Sequence, residues 1–262
     1  MSVDFQIHYV VSGFVVGLLV GLTGVGGGSL MTPVLTAIFG VPATTAVGTD
    51  LAFAAMTKGV GTLVHRLRGT VNTRVVLLLC AGSLPAALLS IAALHFLGAV
   101  DGSLVKFIKW SIAVSVMLTV GFLLGKSRIL AWLNRHPERH LHGRTLDMAT
   151  IASGALIGAL VTVSSIGAGV IGATILSMLY PRMRTAEIAG TDIAYAVPLT
   201  GVAALGHWWL GTVNFGLLVS LLVGSIPGIT LGSFLSRSVP ERWLRGTLAT
   251  VLTLVAAKMI LS

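Results

Sequence analysis

Long stretches without an ionised side chain constrain this chain more than any other feature. No Asp, Glu, Lys or Arg occurs in 9–49, 75–100 or 193–236. A helix that crosses a bilayer needs about 20 apolar residues, so two of these stretches have room for two passes each. Only 10% of the residues are charged, against about 25% in a soluble domain. A soluble core helix would explain one such stretch but not the set, so we predict an all-α integral membrane protein in a lipid bilayer.

The positive charge of the chain does not indicate nucleic-acid binding. The formal net charge is +9, but the 17 Lys and Arg residues lie mostly between the apolar stretches, as in cytoplasmic loops. The single cysteine, Cys80, excludes disulfides within the chain and multi-cysteine metal sites. No cofactor or metal is expected. The N-terminus lacks the basic region and cleavage site of a signal peptide, so the first apolar stretch should be retained.

The two halves of the chain repeat the same residues in the same order. Segments 48–50, 69–72 and 82–85 return at 190–192, 211–214 and 224–227, as Gly-Thr-Asp, Gly-Thr-Val-Asn and Gly-Ser-Leu/Ile-Pro. Ordered identities of this kind indicate duplication, which is typical of secondary transporters. We predict a single membrane domain over 1–262. It contains one repeat at about 9–125, a basic linker at 126–146 and a second repeat at about 147–262.

The basic residues suggest how the repeats are oriented. The halves contain eight long hydrophobic segments, near 9–40, 43–65, 74–98, 104–125, 147–180, 185–208, 213–236 and 242–261. Eight passes would distribute basic residues almost evenly between the two sides. If the first segment of each half crosses twice, 13 basic residues fall on one side and three on the other, as the positive-inside rule prefers. The prediction is a polytopic bundle of eight to ten transmembrane helices with inverted repeats, although parallel repeats remain open.

A glycine cluster interrupts the first segment of each half. Gly24, Gly26, Gly27 and Gly28 fall within five residues, and glycines inside a helix cost about 1 kcal/mol each. A helix that begins near Gly28 would direct unpaired N–H groups and its positive dipole end toward the turn. The second half has a weaker copy at Gly167 and Gly169. The candidate ligands of an anion are therefore Gly26, Gly27, Gly28, Ser29, Gly167 and Gly169. Close helix packing is the alternative reading.

Two carboxylates occupy equivalent positions in the apolar helices. Asp50 and Asp192 each follow a Gly-Thr pair, and ionisable residues inside a membrane are costly and functional by default. We predict that they carry a coupling proton or ion. The competing interpretation is structural, since an Asp in the first turns of a helix favours its dipole.

Further polar residues complete the predicted site. Lys58 is the one clear intramembrane cation and has Thr200 at the equivalent position. It is expected to meet the substrate or Asp50, or else to extend to the interface. Thr49 and Thr191 are candidate hydroxyl contacts. Residues with a gating or interfacial role are expected next to the Gly-Thr-Val-Asn turns, namely His65, His207, Asn72 and Asn214.

The sequence combines the cluster Gly24-Val25-Gly26-Gly27-Gly28 followed by Pro33, the Gly48-Thr49-Asp50 segment, and the repetition of the two halves. These three features resemble the TauE/SafE family of membrane permeases. The resemblance covers essentially the whole chain. It implies movement of small sulfur-containing anions, such as sulfite, thiosulfate or an organosulfonate, across a prokaryotic plasma (inner) membrane, coupled to an ion gradient. The second half departs from the pattern at Ala168, Val170 and Thr174, so the two halves are expected to contribute unequally to the site.

The expected function is therefore secondary transport of a small anion by a multi-pass permease rather than an enzymatic reaction. An anion channel is the alternative. An intramembrane enzyme is a third class, in which Ser164 or Ser165 would act with His207, but no third orienting group accompanies them. Solute identity, direction of transport, coupling ion and oligomeric state do not follow from the sequence.

Overall fold

The computed structural model describes residues 7–23, 28–98, 103–135, 141–235 and seven positions between 246 and 258. All the regular structure in these ranges is helical. The helices are α1 (Ile7–Thr23), α2 (Gly28–Ala37), α3 (Ala43–Leu67), α4 (Thr73–Gly98), α5 (Ser103–Asn134), α6 (Gly143–Ser164), α7 (Val170–Leu179), α8 (Thr185–Trp209) and α9 (Phe215–Leu235). The seven positions after 245 are also helical, and the rest of the last predicted segment lies outside the described residues.

The first hydrophobic segment of each half consists of two helices. Helix α2 begins at Gly28, where the sequence predicts a new helix, and α6 and α7 are separated by residues 165–169. The hydroxyls of Thr150, in α6, and Tyr180, just after α7, are 2.8 Å apart. The end of α7 thus returns toward the beginning of α6. Helix α5 continues to Asn134, so part of the predicted linker is helical.

Small residues allow two pairs of helices to pack at close range. Helix α1 lies along α9, with Gly13 facing Leu221 and Gly17 facing Ser225, and α6 lies along α4 in the same way. A methyl group on Gly17 would come within 2.7 Å of the Ser225 carbonyl oxygen. Glycines four residues apart open such a groove in membrane helices. In both pairs, successive contacts involve higher residue numbers on both helices, so the paired helices are parallel. Each pair joins one half of the chain to the other.

Helices α3 and α8, which are equivalent in the two halves, pack against each other in opposite directions. Gly48, near the start of α3, faces Thr212 just beyond the end of α8. Gly190, near the start of α8, faces Thr70 just beyond the end of α3. A Cβ atom on Gly48 would lie 2.8 Å from the Thr212 carbonyl oxygen, and one on Gly190 would lie 2.6 Å from that of Thr70. At Gly48 and at Gly190, the absence of a side chain therefore lets the turn of the other half pack against the start of the helix.

One end of the bundle, here called the basic end, is rich in arginine. The contact between Gly190 and Thr70 brings the end of α3 to the start of α8. Arg74, at the start of α4, makes an ion pair of 2.8 Å with Asp147, near the start of α6. These two helix starts therefore lie at the same end of the bundle. The arginines near these helix ends are Arg66, Arg68, Arg74, Arg144, Arg182 and Arg184.

The outer surface of the bundle is apolar. Side chains such as Leu77, Leu89 and Ile226 are more than 60% exposed, which suits lipid rather than water. Five helices of the described chain are long and apolar enough to cross a membrane. They comprise Thr73–Phe96, Val105–Lys126, Gly143–Ser164, Thr185–Trp209 and Phe215–Gly232. The chain is a multi-pass α-helical membrane protein.

Candidate functional site

The connection between α6 and α7, residues 165–169, forms an irregular turn inside the protein, here called the second glycine turn. Ser165, Gly167 and Gly169 have φ angles of 59°, 131° and 135°. Glycine adopts such angles without steric cost, which explains two of the three positions. Ile166 and Ser165 are buried, and the Ser164 hydroxyl donates a 3.0 Å hydrogen bond to Ser115 of α5. Helix α7 starts directly from this turn at Val170, and the backbone N–H groups of Gly172 and Ala173 donate to the carbonyl oxygens of Gly167 and Gly169.

Lys58 reaches the second glycine turn from α3. Its side chain is 8% exposed, and its Nζ donates a hydrogen bond of 3.0 Å to the carbonyl oxygen of Ala168. Among the described residues, no carboxylate oxygen lies within 4.0 Å of the Lys58 ammonium. An ammonium group has three donors, so a buried cation here has donors left for a further acceptor.

Asp50 lies on the same helix as Lys58 and is fully buried. The Thr32 hydroxyl of α2 donates a short hydrogen bond of 2.6 Å to its Oδ2 atom. The Ser165 hydroxyl of the second glycine turn lies within interaction range of the carboxylate, but without the geometry of a hydrogen bond. Asp50 thus connects α3 to α2 and faces the same turn as Lys58.

Asp192, the equivalent carboxylate of the second half, is also buried but has a different environment. It lies beside Gly172 of α7, and its Oδ1 atom has no hydrogen-bond partner within the described chain. The charges that act on it are those of Lys58 and Lys126. Lys58 therefore lies within electrostatic range of both carboxylates.

Thr49 and Thr191, predicted as substrate contacts, connect the two halves in this structure. The Thr49 hydroxyl accepts a hydrogen bond of 3.0 Å from the backbone N–H of Asn214. Thr191 accepts one of 3.0 Å from the backbone N–H of Asn72. The side chains of Asn72 and Asn214 accept hydrogen bonds from Val75 and Leu217, which caps the following helices. A contact between these threonines and substrate stays a prediction.

The two predicted interfacial histidines differ in burial and in hydrogen bonding. The Nδ1 atoms of His65 and His207 are each 2.8 Å from a threonine hydroxyl in the adjoining turn, Thr70 and Thr212. His207 is 1% exposed, and its Nε2 lies 2.9 Å from the carbonyl oxygen of Thr162. His65 is only half-buried. Since both nitrogens of His207 are engaged in this way, it is not positioned as a base for Ser164 or Ser165.

The remaining predicted ligands are placed only in part. Gly26 and Gly27 lie outside the described residues, and so does the side chain of Ser29. Gly28 is the first residue of α2, and Gly167 and Gly169 lie in the second glycine turn. The described part of the chain contains no group of three His, Cys, Asp or Glu side chains that could hold a metal ion.

Sequence reasoning missed two residues of this region. Thr32 contacts Asp50 across 18 positions of the chain, and no spacing rule predicts that pair. Tyr195 is fully buried beside Asp192. Its position could have been noticed, because residues three apart share one face of a helix and a tyrosine hydroxyl inside a charge-free stretch needs a partner.

Comparisons with known proteins agree with this architecture. The model of the family described as sulfite exporter TauE/SafE matches residues 9–259. The probable membrane transporter protein YjnA of Bacillus subtilis is 35% identical, over 97% of this chain and 100% of its own length. The probable membrane transporter protein MJ0441 of Methanocaldococcus jannaschii is 25% identical, over 96% and 94% of the two chains. No solved structure matches significantly.

Proposed function

This chain belongs to the sulfite exporter TauE/SafE family of membrane transporters, and we propose that it transports a small sulfur-containing oxyanion bound at Lys58. Its family and relatives mark it as a transporter rather than an enzyme. The observation that carries the proposal is the buried ammonium of Lys58, which has one carbonyl partner and no carboxylate within 4.0 Å among the described residues. A buried cation needs a counter-charge, and a transported anion supplies one.

The second glycine turn adds donors beside this cation. Helix α7 begins at Val170 with Gly169 as its N-cap, so its positive dipole end lies next to the carbonyl that Lys58 contacts. The N–H groups of Gly172 and Ala173 already donate to the turn, so the donors proposed for the anion are those of Val170 and Ile171. An oxyanion such as sulfite, thiosulfate or a sulfonate has several acceptor oxygens that suit an ammonium and backbone N–H groups together. Gly167 and Gly169 would permit close approach of such an anion to the backbone.

The arrangement of the two halves supports transport by alternating access. Helices α3 and α8 are equivalent and run in opposite directions, which favours inverted repeats around a central site. We therefore propose that the two halves move against each other about the α3–α8 contact. The concentration of arginines at the basic end favours a cytoplasmic location for that end, in a prokaryotic inner membrane.

Coupling is proposed to involve a proton or another ion at the buried carboxylates. Asp50 and Asp192 both lie within electrostatic range of Lys58. The charge of an anion bound at Lys58 would therefore change the electrostatic energy of all three groups. A channel would need no such coupling. Gradient-driven accumulation and saturable counterflow would separate the two classes.

The test is uptake of sulfite, thiosulfate, sulfoacetate and a control amino acid into proteoliposomes that contain the full chain. We expect saturable counterflow of at least one sulfur anion and none of the amino acid. Lys58→Met should reduce that flux by about 100-fold, because loss of one partner of a buried charge pair costs 2–5 kcal/mol. Lys106→Met, a change at an exposed lysine of α5, is the matched control and should retain the flux. Absence of sulfur-anion flux in wild-type protein would reject the proposed substrate class.

A further inference from the structure

Two buried polar atoms on one face of α8 lack partners. The Oδ1 atom of Asp192 and the hydroxyl of Tyr195 are both fully enclosed, and neither has a hydrogen bond within the described chain. The two residues are three positions apart, so their side chains emerge on the same side of the helix. Asp192 is 4% exposed and Tyr195 is 0% exposed. Unpaired polar groups at such depth are costly, and each one calls for an explanation.

Both atoms face the same point of α7. A Cβ atom built on Gly172 would contact Oδ1 of Asp192 and would lie 3.4 Å from the hydroxyl of Tyr195. The carboxyl and the phenol therefore converge where α7 has no side chain. Any larger residue at 172 would fill the space between them.

The charged and titratable groups around this point come from three further helices. Lys58 of α3 and Lys126 of α5 act electrostatically on Asp192, and the thiol of Cys80 in α4 is the titratable group within range of Tyr195. Helix α7 contributes none, and the two on α6, Arg144 and Asp147, lie at its start. Asp147 is already paired with Arg74. Helix α3 also contributes Asp50, which Lys58 reaches electrostatically as well, but Asp192 is the carboxylate that lies beside Gly172 of α7.

We propose that Asp192 and Tyr195 form the binding site of the coupling proton, with Gly172 providing the space between them. The proposal rests on the transport function above and names the coupling ion and its site. A tyrosine hydroxyl serves both states of the carboxyl: it accepts from the protonated form and donates to the ionised form. A metal cation would need more oxygen ligands than the two that converge here.

The first half lacks this arrangement. Phe53 stands at the position equivalent to Tyr195, three residues after Asp50, and offers no hydroxyl. Oδ1 of Asp50 also has no hydrogen-bond partner in the described chain, but its Oδ2 accepts the short hydrogen bond from Thr32, and the hydroxyl near it is that of Ser165 in the second glycine turn rather than one on its own helix. The site of the coupling proton is accordingly in the second half alone, and Asp50 is a positioning residue that holds α2 on α3.

A direct test measures the proton without any substrate. Infrared difference spectra of the purified full chain between acidic and basic pH should show a protonated-carboxyl band. Asp192→Asn should remove that band, whereas Tyr195→Phe should shift it, because it removes the hydroxyl proposed as the partner of the protonated carboxyl. Tyr180→Phe deletes a hydroxyl that contacts Thr150 instead, and the band should not move. A band that disappears in Asp50→Asn and persists in Asp192→Asn would overturn the assignment.

The transport assay provides the second measurement. In proteoliposomes, Asp192→Asn should lower accumulation driven by a pH gradient by about 10-fold or more relative to its own rate of anion counterflow. Tyr195→Phe should reduce that accumulation less and move its pH dependence. Equal loss of counterflow and accumulation in both variants would contradict a coupling role. If wild-type protein moves no sulfur anion, the proposed substrate fails, while the infrared result still decides the proton site.

Discussion

The two halves of this protein share one framework but differ in the polar residues of the interior. Both contain a Gly-Thr-Asp start, a histidine and a Gly-Thr-Val-Asn turn, and these make matching contacts across the α3–α8 pair. The interior residues differ: Lys58 is matched by Thr200, and Phe53 by Tyr195. His207 is buried against Thr162, whereas His65 is half-buried.

The difference separates residues that hold the two halves together from residues that we propose bind the anion and the proton. A contact that serves the framework is used twice, once by each half, so both copies are under the same physical constraint. A residue that binds an anion or a proton is needed once, beside a particular turn. We infer that duplication supplied the scaffold and that divergence at a few buried positions supplied the site.

Exchange of Lys58 and Thr200 between the halves should have the largest effect. Lys58→Thr should lower kcat/KM for the transported anion by about 100-fold, since the buried positive charge is lost. Adding Thr200→Lys should not restore it, because the proposed anion site lies at the second glycine turn, which Lys58 contacts through the carbonyl oxygen of Ala168. Initial rates of counterflow measure both variants. Recovery to half of the wild-type rate in the double variant would show that either half can hold the anion.

Substitution of paired glycines should have a smaller effect, expressed in stability. Gly48→Ala and Gly190→Ala place a methyl group within 3.0 Å of a backbone carbonyl oxygen, and overpacking of this kind costs about 1–3 kcal/mol. Gly59→Ala and Gly201→Ala are matched controls, because a Cβ atom at either position meets nothing within 4 Å. Thermal unfolding in detergent should show losses for the first pair only. A large difference between Gly48→Ala and Gly190→Ala would contradict the equivalence of the two contacts.

Removal of the paired threonine hydroxyls should have the smallest effect. Thr49→Val and Thr191→Val each leave one backbone N–H without its acceptor, which costs about 1 kcal/mol. The two losses should be similar, since both hydrogen bonds measure 3.0 Å. Thermal unfolding and KM are measured together, with Thr57→Val as a control whose hydroxyl bonds only within its own helix. A raised KM at unchanged stability would instead support the predicted substrate contact.

Much of the architecture was predictable because it depends on local composition. Charge-free stretches predict a helical membrane protein, since a bilayer tolerates few other arrangements. The glycine clusters predict breaks in two helices, and the structure has separate helices on both sides of residues 24–27 and 165–169. The family was also recognisable from the order of the glycine motifs. Inverted repeats and the substrate stay proposals.

The details of the site depended on tertiary structure. The sequence identified Lys58, Asp50 and Asp192 as buried charges, because their residue types are conspicuous in an apolar stretch. It did not show that Lys58 contacts Ala168, 110 positions away, or that Thr32 holds Asp50. Nor did it distinguish Asp192, beside Tyr195 and Gly172, from Asp50. Helix formation and burial in lipid follow from nearby residues, whereas hydrogen-bond partners between distant helices are decided only when those helices pack.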